Sequence, residues 1–151
     1  MYQVRRVAGA CGGYSIIEIA AVLALLAVLA PPLLGSAARL RTSFCLSRSQ
    51  EEVARLLAEA RWTAIGEGGA TVELTADPPW AMLISAAGDT VAEAPLGKGG
   101  VALQLSRGRP TARIRYGPLG LGLVSSQTIR FTLAGEERSL VVSSLGRVAR
   151  R

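Results

Sequence analysis

Gly12-Gly13-Tyr14-Ser15-Ile16-Ile17-Glu18 runs straight into an apolar segment, Ile19 to Leu34. One ionisable group at the mouth of a membrane-length hydrophobic run is costly and needs a specific reason to exist. Counted from Tyr14, the run reaches the roughly 20 residues that a helical span requires. Pro31 and Pro32 near its far end remove backbone donors and predict a kink or local melting. Upstream, Met1 to Gly13 carries Arg5 and Arg6 and no acid, the basic start of an exported chain. Downstream, Leu33-Leu34-Gly35-Ser36-Ala37-Ala38 offers conventional signal-peptide cleavage near Ala38 as an alternative, against which stands the charge of Glu18 inside the apolar region. With Arg5 and Arg6 before the run and Arg39 and Arg41 after it, the flanking charges are nearly balanced and do not orient the segment.

Beyond the apolar run the chain changes character twice. Ser36 to Ile65 contains neither Pro nor Gly. Leu46, Val53, Leu57, Ala60 and Ala64 share one helical face with Leu56 at its edge, and Arg48, Glu51, Glu52, Arg55 and Glu59 occupy the other. The spacing predicts i,i+4 ion pairs Glu51–Arg55 and Arg55–Glu59. Phe44 and Trp62 fall on the polar side, either packed against a loop or sheet edge or in contact with a neighbouring subunit. Gly66, Gly68 and Gly69 end the helix. From Ala70 the period becomes two, predicting strands at Thr71–Thr75, Trp80–Ser85, Val101–Ser106, Ala112–Tyr116, Thr128–Leu133 and Ser139–Ser143, separated by Pro- and Gly-rich breakers including Gly135-Glu136. The pattern is α+β: a long N-terminal helix, transmembrane then amphipathic, packed on an antiparallel β-sheet domain.

Composition narrows the function classes. Of 151 residues half are hydrophobic and 19% charged, which excludes a disordered chain. The formal net charge is +6, supplied almost entirely by Arg, and the absence of His removes the commonest general base and metal ligand. Of the two cysteines, Cys11 and Cys45, the first lies in the leader, so the mature chain keeps one thiol, an inert residue on a helix. The loop Gly117-Pro118-Leu119-Gly120-Leu121-Gly122 lacks the order and βα context of a nucleotide fingerprint and reads as flexible. Asp77 and Asp89 are too isolated for a calcium cage. No nucleophile has a plausible base; no catalytic residue, cofactor or metal site is predicted.

The short basic leader, Gly13, the hydroxyl-bearing step and Glu18 before an apolar helix resemble the type IV prepilin family. Tyr14 stands where Phe is more usual, Ser15-Ile16-Ile17 where Thr-Leu-Ile is common, and the basic pair lies further from the Gly. Two further stretches, Leu57-x-x-Ala60-Arg61 within the helix and Ile129-Arg130-Phe131 through Gly135 to Gly146-Arg147-Val148, resemble the GspH/FimT-type minor pseudopilins; residues 75 to 125 carry no matching motif. The resemblance implies a pilin-like fold, with a prepilin leader at 1–13, a transmembrane and filament-core helix at 14–35, an amphipathic helix at 36–66 and a β-rich pseudopilin domain at 67–151. It implies cleavage by a prepilin peptidase between Gly13 and Tyr14, N-methylation of Tyr14, and assembly with other pseudopilins through Glu18, whose carboxylate pairs with a neighbour's α-amine. The implied location is the bacterial inner membrane, single-pass, with the C-terminal domain in the periplasm. The implied role is that of a minor pseudopilin supporting type II secretion. The alternative is a type IV pilus subunit that binds DNA through Arg147, Arg150 and Arg151. The basic C-terminal third, with Arg107, Arg109, Arg113, Arg115, Arg130 and Arg138 opposed in sequence by Glu136 and Glu137, reads equally as a solvated face or as a patch for an acidic partner.

Overall fold

A computed structural model describes residues 15–123 and 126–151, the side chains of 29–34 excepted. The chain divides into two compact units, Met1–Ala38 and Arg39–Arg151. One helix, α1 (Ile16–Glu67), contributes to both.

In the first unit, the carbonyl of Ser15 accepts the N–H groups of Glu18 (3.0 Å) and Ile19 (3.1 Å) and so opens α1. The apolar side chains of this segment are exposed, Ile16 at 86% and Val28 at 74%. The backbone stays helical through Pro31 and Pro32, so the expected local melting does not occur. The expected span at 14–35 includes Tyr14, outside the described residues. Among the described residues no helix is long and apolar enough to cross a membrane.

The second unit is a helix on two sheets. One antiparallel sheet orders β3 (Thr90–Pro95), β2 (Trp80–Ser85), β1 (Ala70–Thr75) and β5 (Thr111–Tyr116); the other orders β4 (Ala102–Leu105), β6 (Gln127–Leu133), β7 (Glu136–Val142) and β8 (Val148–Arg150). The apolar stripe read from the sequence is the stripe that is buried: Leu46, Val53, Leu56, Leu57, Ala60 and Ala64 are each at most 1% exposed. They join Val72, Leu74, Leu83 and Ile114 of the first sheet and Ile129, Phe131, Leu140 and Val142 of the second in a single core. Strict alternation does this: in β5 every second residue is buried, and in β6 Ile129 and Phe131 face inward while Arg130 does not. Two polar groups on the buried side of α1 find carbonyls. Ser49 Oγ donates to Leu96 O (3.0 Å) and Gln50 Nε2 to Ser139 O (2.8 Å), one tie to each side of the β layer.

Several details depart from the sequence reading. The edge strand β3 and the short β8 escape it, because β3 is mostly exposed and β8 is three residues long with its pairing supplied wholly by β7. Glu136 is not a breaker but the first residue of β7. The hairpin turns on Ala134 and Gly135 alone, both at positive φ (50° and 83°), as a two-residue type I′ connection requires. Arg55 pairs with Glu59 (3.0 Å) as expected but with Glu52 (3.2 Å) instead of Glu51. Phe44 (70% exposed) and Trp62 (75%) are left open by the loops and sheet edges among the described residues. Cys45 is a free, half-buried thiol against the core; a Cβ on Gly99, at φ 79°, would lie 2.9 Å from its sulfur.

Candidate functional site

Of the residues expected to direct processing, Gly13 and Tyr14 lie outside the described residues. Glu18 sits in the first turn of α1, exposed, and makes no ion pair among the described residues. Its carboxylate sits at the helix end where the macrodipole favours a negative charge.

The two family-like stretches of the domain, 60 and more residues apart in sequence, meet in space. Leu57 and Ala60 are buried in the core between α1 and the sheets, and Arg61 follows them at the border of that buried stripe. Its guanidinium lies 5.8 Å from the centre of the Tyr116 ring and its Nη2 donates to the carbonyl of Gly146. Gly146 has φ 81°, and a Cβ there would come within 2.6 Å of the Tyr116 ring, so the position accepts only glycine. The β7–β8 turn that carries it is closed by Ser143: its carbonyl accepts Gly146 N–H (2.9 Å) and its Oγ accepts Arg147 N–H (3.0 Å). Burial raises the pKa of Tyr116, and the neighbouring Arg61 only partly offsets this.

The basic ending is divided by this geometry. In β8, Val148 and Arg150 lie opposite Val142 and Leu140, on the face turned toward α1. Arg150 there reaches Glu51 (2.8 Å), and with Arg147, Arg61, Ala54, Ala58 and Val148 it lines a groove of about 570 Å³ between α1 and β8. Arg151 exchanges two backbone hydrogen bonds with Ser139 (2.8 Å each) and, being the next residue along, belongs to the opposite face. The structure thus brings Arg147 and Arg150 together and separates Arg151 from them. Nor is the basic third opposed by Glu136 and Glu137 alone. Glu73 pairs with Arg113, Glu51 with Arg150 and Glu137 with Arg130 (3.5 Å), while Arg138 donates to Ser43 Oγ (2.9 Å). Two of these three acids, Glu51 of α1 and Glu73 of β1, are distant in sequence from their partners, where a linear reading does not look.

A second hollow, missed by the sequence reading, continues the first. Trp62, Ile65, Leu119, Leu121 and Leu145 surround it, with Ala58, Arg61 and Arg147 shared between the two. The loop beneath is not slack. Gly117 N–H bonds Leu121 O (2.9 Å), Gly122 N–H bonds Leu145 O (3.2 Å) and Leu123 N–H bonds Arg115 O (2.8 Å). A Cβ on Gly122 would lie 2.6 Å from Gly146 N, so its glycines serve close backbone approach. The available signal was the Leu119, Leu121 and Leu123 spacing inside a glycine-rich segment.

A long helix laid on two antiparallel sheets, its motif residues meeting at Tyr116, is the architecture of a pilin-like subunit. The minor pseudopilin EpsH from the type 2 secretion system of Vibrio cholerae is similar in fold, with a TM-score of 0.52, 17% identity, and coverage of 69% of this chain and 93% of that one. Residues 49–146 match the family of type II transport protein GspH, and the chain belongs to that family. The match begins at buried Ser49 and ends at Gly146, the residue that receives Arg61. Comparison with curated proteins by sequence gives no match.

Proposed function

We propose that this chain is a minor pseudopilin of a type II secretion pseudopilus, a structural subunit without catalytic activity. The observation that carries the reading is the family match across 49–146 on a helix-and-two-sheet domain, preceded by an apolar stretch, 14–38, whose one charged side chain is Glu18. A prepilin peptidase cuts between Gly13 and Tyr14, and the new terminus at Tyr14 is methylated. The apolar helix holds the chain in the bacterial inner membrane, with residues 39–151 in the periplasm, until the subunit is extracted into the filament. There Glu18 pairs with a neighbour's α-amine, a partner a buried carboxylate requires.

The test is the intact mass of the chain recovered from membranes containing a prepilin peptidase, with secretion followed in parallel. The expected species starts at Tyr14, and Glu18→Ala leaves it processed but abolishes secretion. A chain retaining residues 1–13 overturns the processing step, and normal secretion with Glu18→Ala overturns the pairing.

A DNA-binding role in a type IV pilus draws support from Arg147 and Arg151, both exposed and without a carboxylate partner among the described residues. The pairing of Arg150 with Glu51 counts against a three-arginine phosphate site. Binding of the full chain to duplex DNA that weakens steeply with salt, and is lost in Arg147→Ala/Arg151→Ala, would favour that role over secretion.

A further inference from the structure

We propose that the hollow between the last turns of α1, the 117–123 loop and the β7–β8 turn docks a segment of another pseudopilin that carries aliphatic or aromatic anchors beside a carboxylate. The proposal rests on the reading of the chain as a pseudopilin and names the surface and chemistry of one of its contacts.

Three observations carry it. First, Trp62 (75% exposed), Ile65 (52%), Leu119 (81%), Leu121 (49%) and Leu145 (60%) all face one concavity of about 530 Å³. Single exposed apolar residues are ordinary, but a contiguous patch of five marks a contact surface.

Second, these side chains are held outward. The loop that carries Leu119 and Leu121 is closed on itself by Gly117 N–H to Leu121 O and tied down where it ends, by Gly122 N–H to Leu145 O and Leu123 N–H to Arg115 O. Gly120, at φ 68°, lies so close to α1 that a Cβ would be 3.0 Å from Ile65 Cδ1. The patch cannot collapse inward without breaking these bonds, so its apolar area stays in water until a partner covers it.

Third, the charge is one-sided. Among the described residues, the concavity and the groove continuous with it are lined by Arg61, Arg147 and Arg150 and by no Asp or Glu. Arg61 is engaged with Gly146 and Tyr116, and Arg150 with Glu51. Arg147 lines both hollows and its guanidinium makes no hydrogen bond or ion pair among the described residues. A carboxylate placed there would complete a charge-assisted pair at the centre of the patch, with apolar anchors to either side. Nucleic acid fits less well: Trp62 is the one aromatic side chain exposed in this hollow, and sugar and phosphate would not cover Leu119, Leu121 and Leu145.

The test places a photoreactive benzophenone amino acid at Leu119, at Leu145 or, as control, at Thr71 on the far face of the first sheet. The full chain is expressed in its native envelope while each other pseudopilin of the system is epitope-tagged in turn. The expected result is an adduct with one tagged pseudopilin from positions 119 and 145 and none from 71. Its yield falls by about tenfold or more in Arg147→Glu, and returns when a carboxylate of the partner segment is changed to Lys. With the photoreactive group at 119, Leu145→Asp, at an exposed position, gives the same loss without lowering the thermal midpoint. A processed chain that co-purifies with the other pseudopilins yet gives no adduct from 119 or 145 overturns the docking surface and leaves the pseudopilin reading standing. A chain neither processed nor co-purifying overturns both. A nuclease-sensitive adduct assigns the hollow to nucleic acid and overturns the proposal, and an adduct indifferent to Arg147→Glu overturns the assigned chemistry.

Discussion

Two stretches of α1 have the same secondary structure and opposite fates. In 16–28 every side chain is exposed although all but Glu18 are apolar, whereas in 46–64 Leu46, Val53, Leu56, Leu57, Ala60 and Ala64 are essentially inaccessible to solvent. The difference lies in how apolar residues are arranged around the helix. The first stretch is apolar nearly all round and is covered by none of the described residues of its unit; the second concentrates its apolar residues on one stripe, and two sheets of the same unit close over that stripe. Helicity alone therefore says nothing about what stabilises a helix. The second stretch is stabilised by packing within its own unit, and the first has no such packing among the described residues.

The sharpest way to break this comparison is to truncate one side chain of each kind. Phe131→Ala, which empties the surface opposite the buried stripe, should destabilise the domain by about 3–5 kcal/mol in chemical unfolding. Ile19→Ala should leave that unfolding unchanged, and a comparable loss would mean that the first stretch is packed after all. Next in size is Gly146→Ala. The left-handed backbone and the approach to the Tyr116 ring should together cost about 2 kcal/mol or more, read as a lowered midpoint in the same titration.

A pH dependence should follow from Tyr116. Its pKa is raised on folding, so the folded state holds the phenolic proton more tightly than the unfolded one. That contribution is present below the ordinary value of 10.0 and is lost as pH rises through the folded value. Tyr116→Phe should therefore flatten the alkaline limb of the stability profile above pH 10. The smallest expected effect is a gain. Ala134→Asn places a residue that tolerates positive φ before Gly135 in the β6–β7 turn, and should stabilise the domain by about 0.5–1 kcal/mol without touching the helix. An unchanged midpoint would show that the turn carries no strain.

Much of the domain is legible in the order of its residues. Ile129, Phe131 and Leu133 alternating with Thr128, Arg130 and Thr132 identify β6 and its buried face, and the apolar spacing from Leu46 to Ala64 identifies the helix stripe, because both are periodicities intrinsic to one element. β3 and β8 are not legible in the same way, because their pairing comes from β2 and β7, not from their own residues. The same holds for charge: Glu51 reads as a partner for Arg55 four residues on, but Arg150, 99 residues away, takes it.

Local pattern in the chain is enough to specify an apolar segment bearing one carboxylate, an amphipathic helix, and strands with one wet face separated by Gly- and Pro-rich breaks. Short motifs at both ends are enough to indicate the family. Three things required the folded molecule: that Arg61 reaches Gly146, that the arginines of the ending part onto two faces, and that Trp62, Leu119 and Leu145 surround one hollow. Those facts depend on which backbone segments come within a few ångströms of one another. Long-range packing sets that proximity, and no periodicity along the chain encodes it.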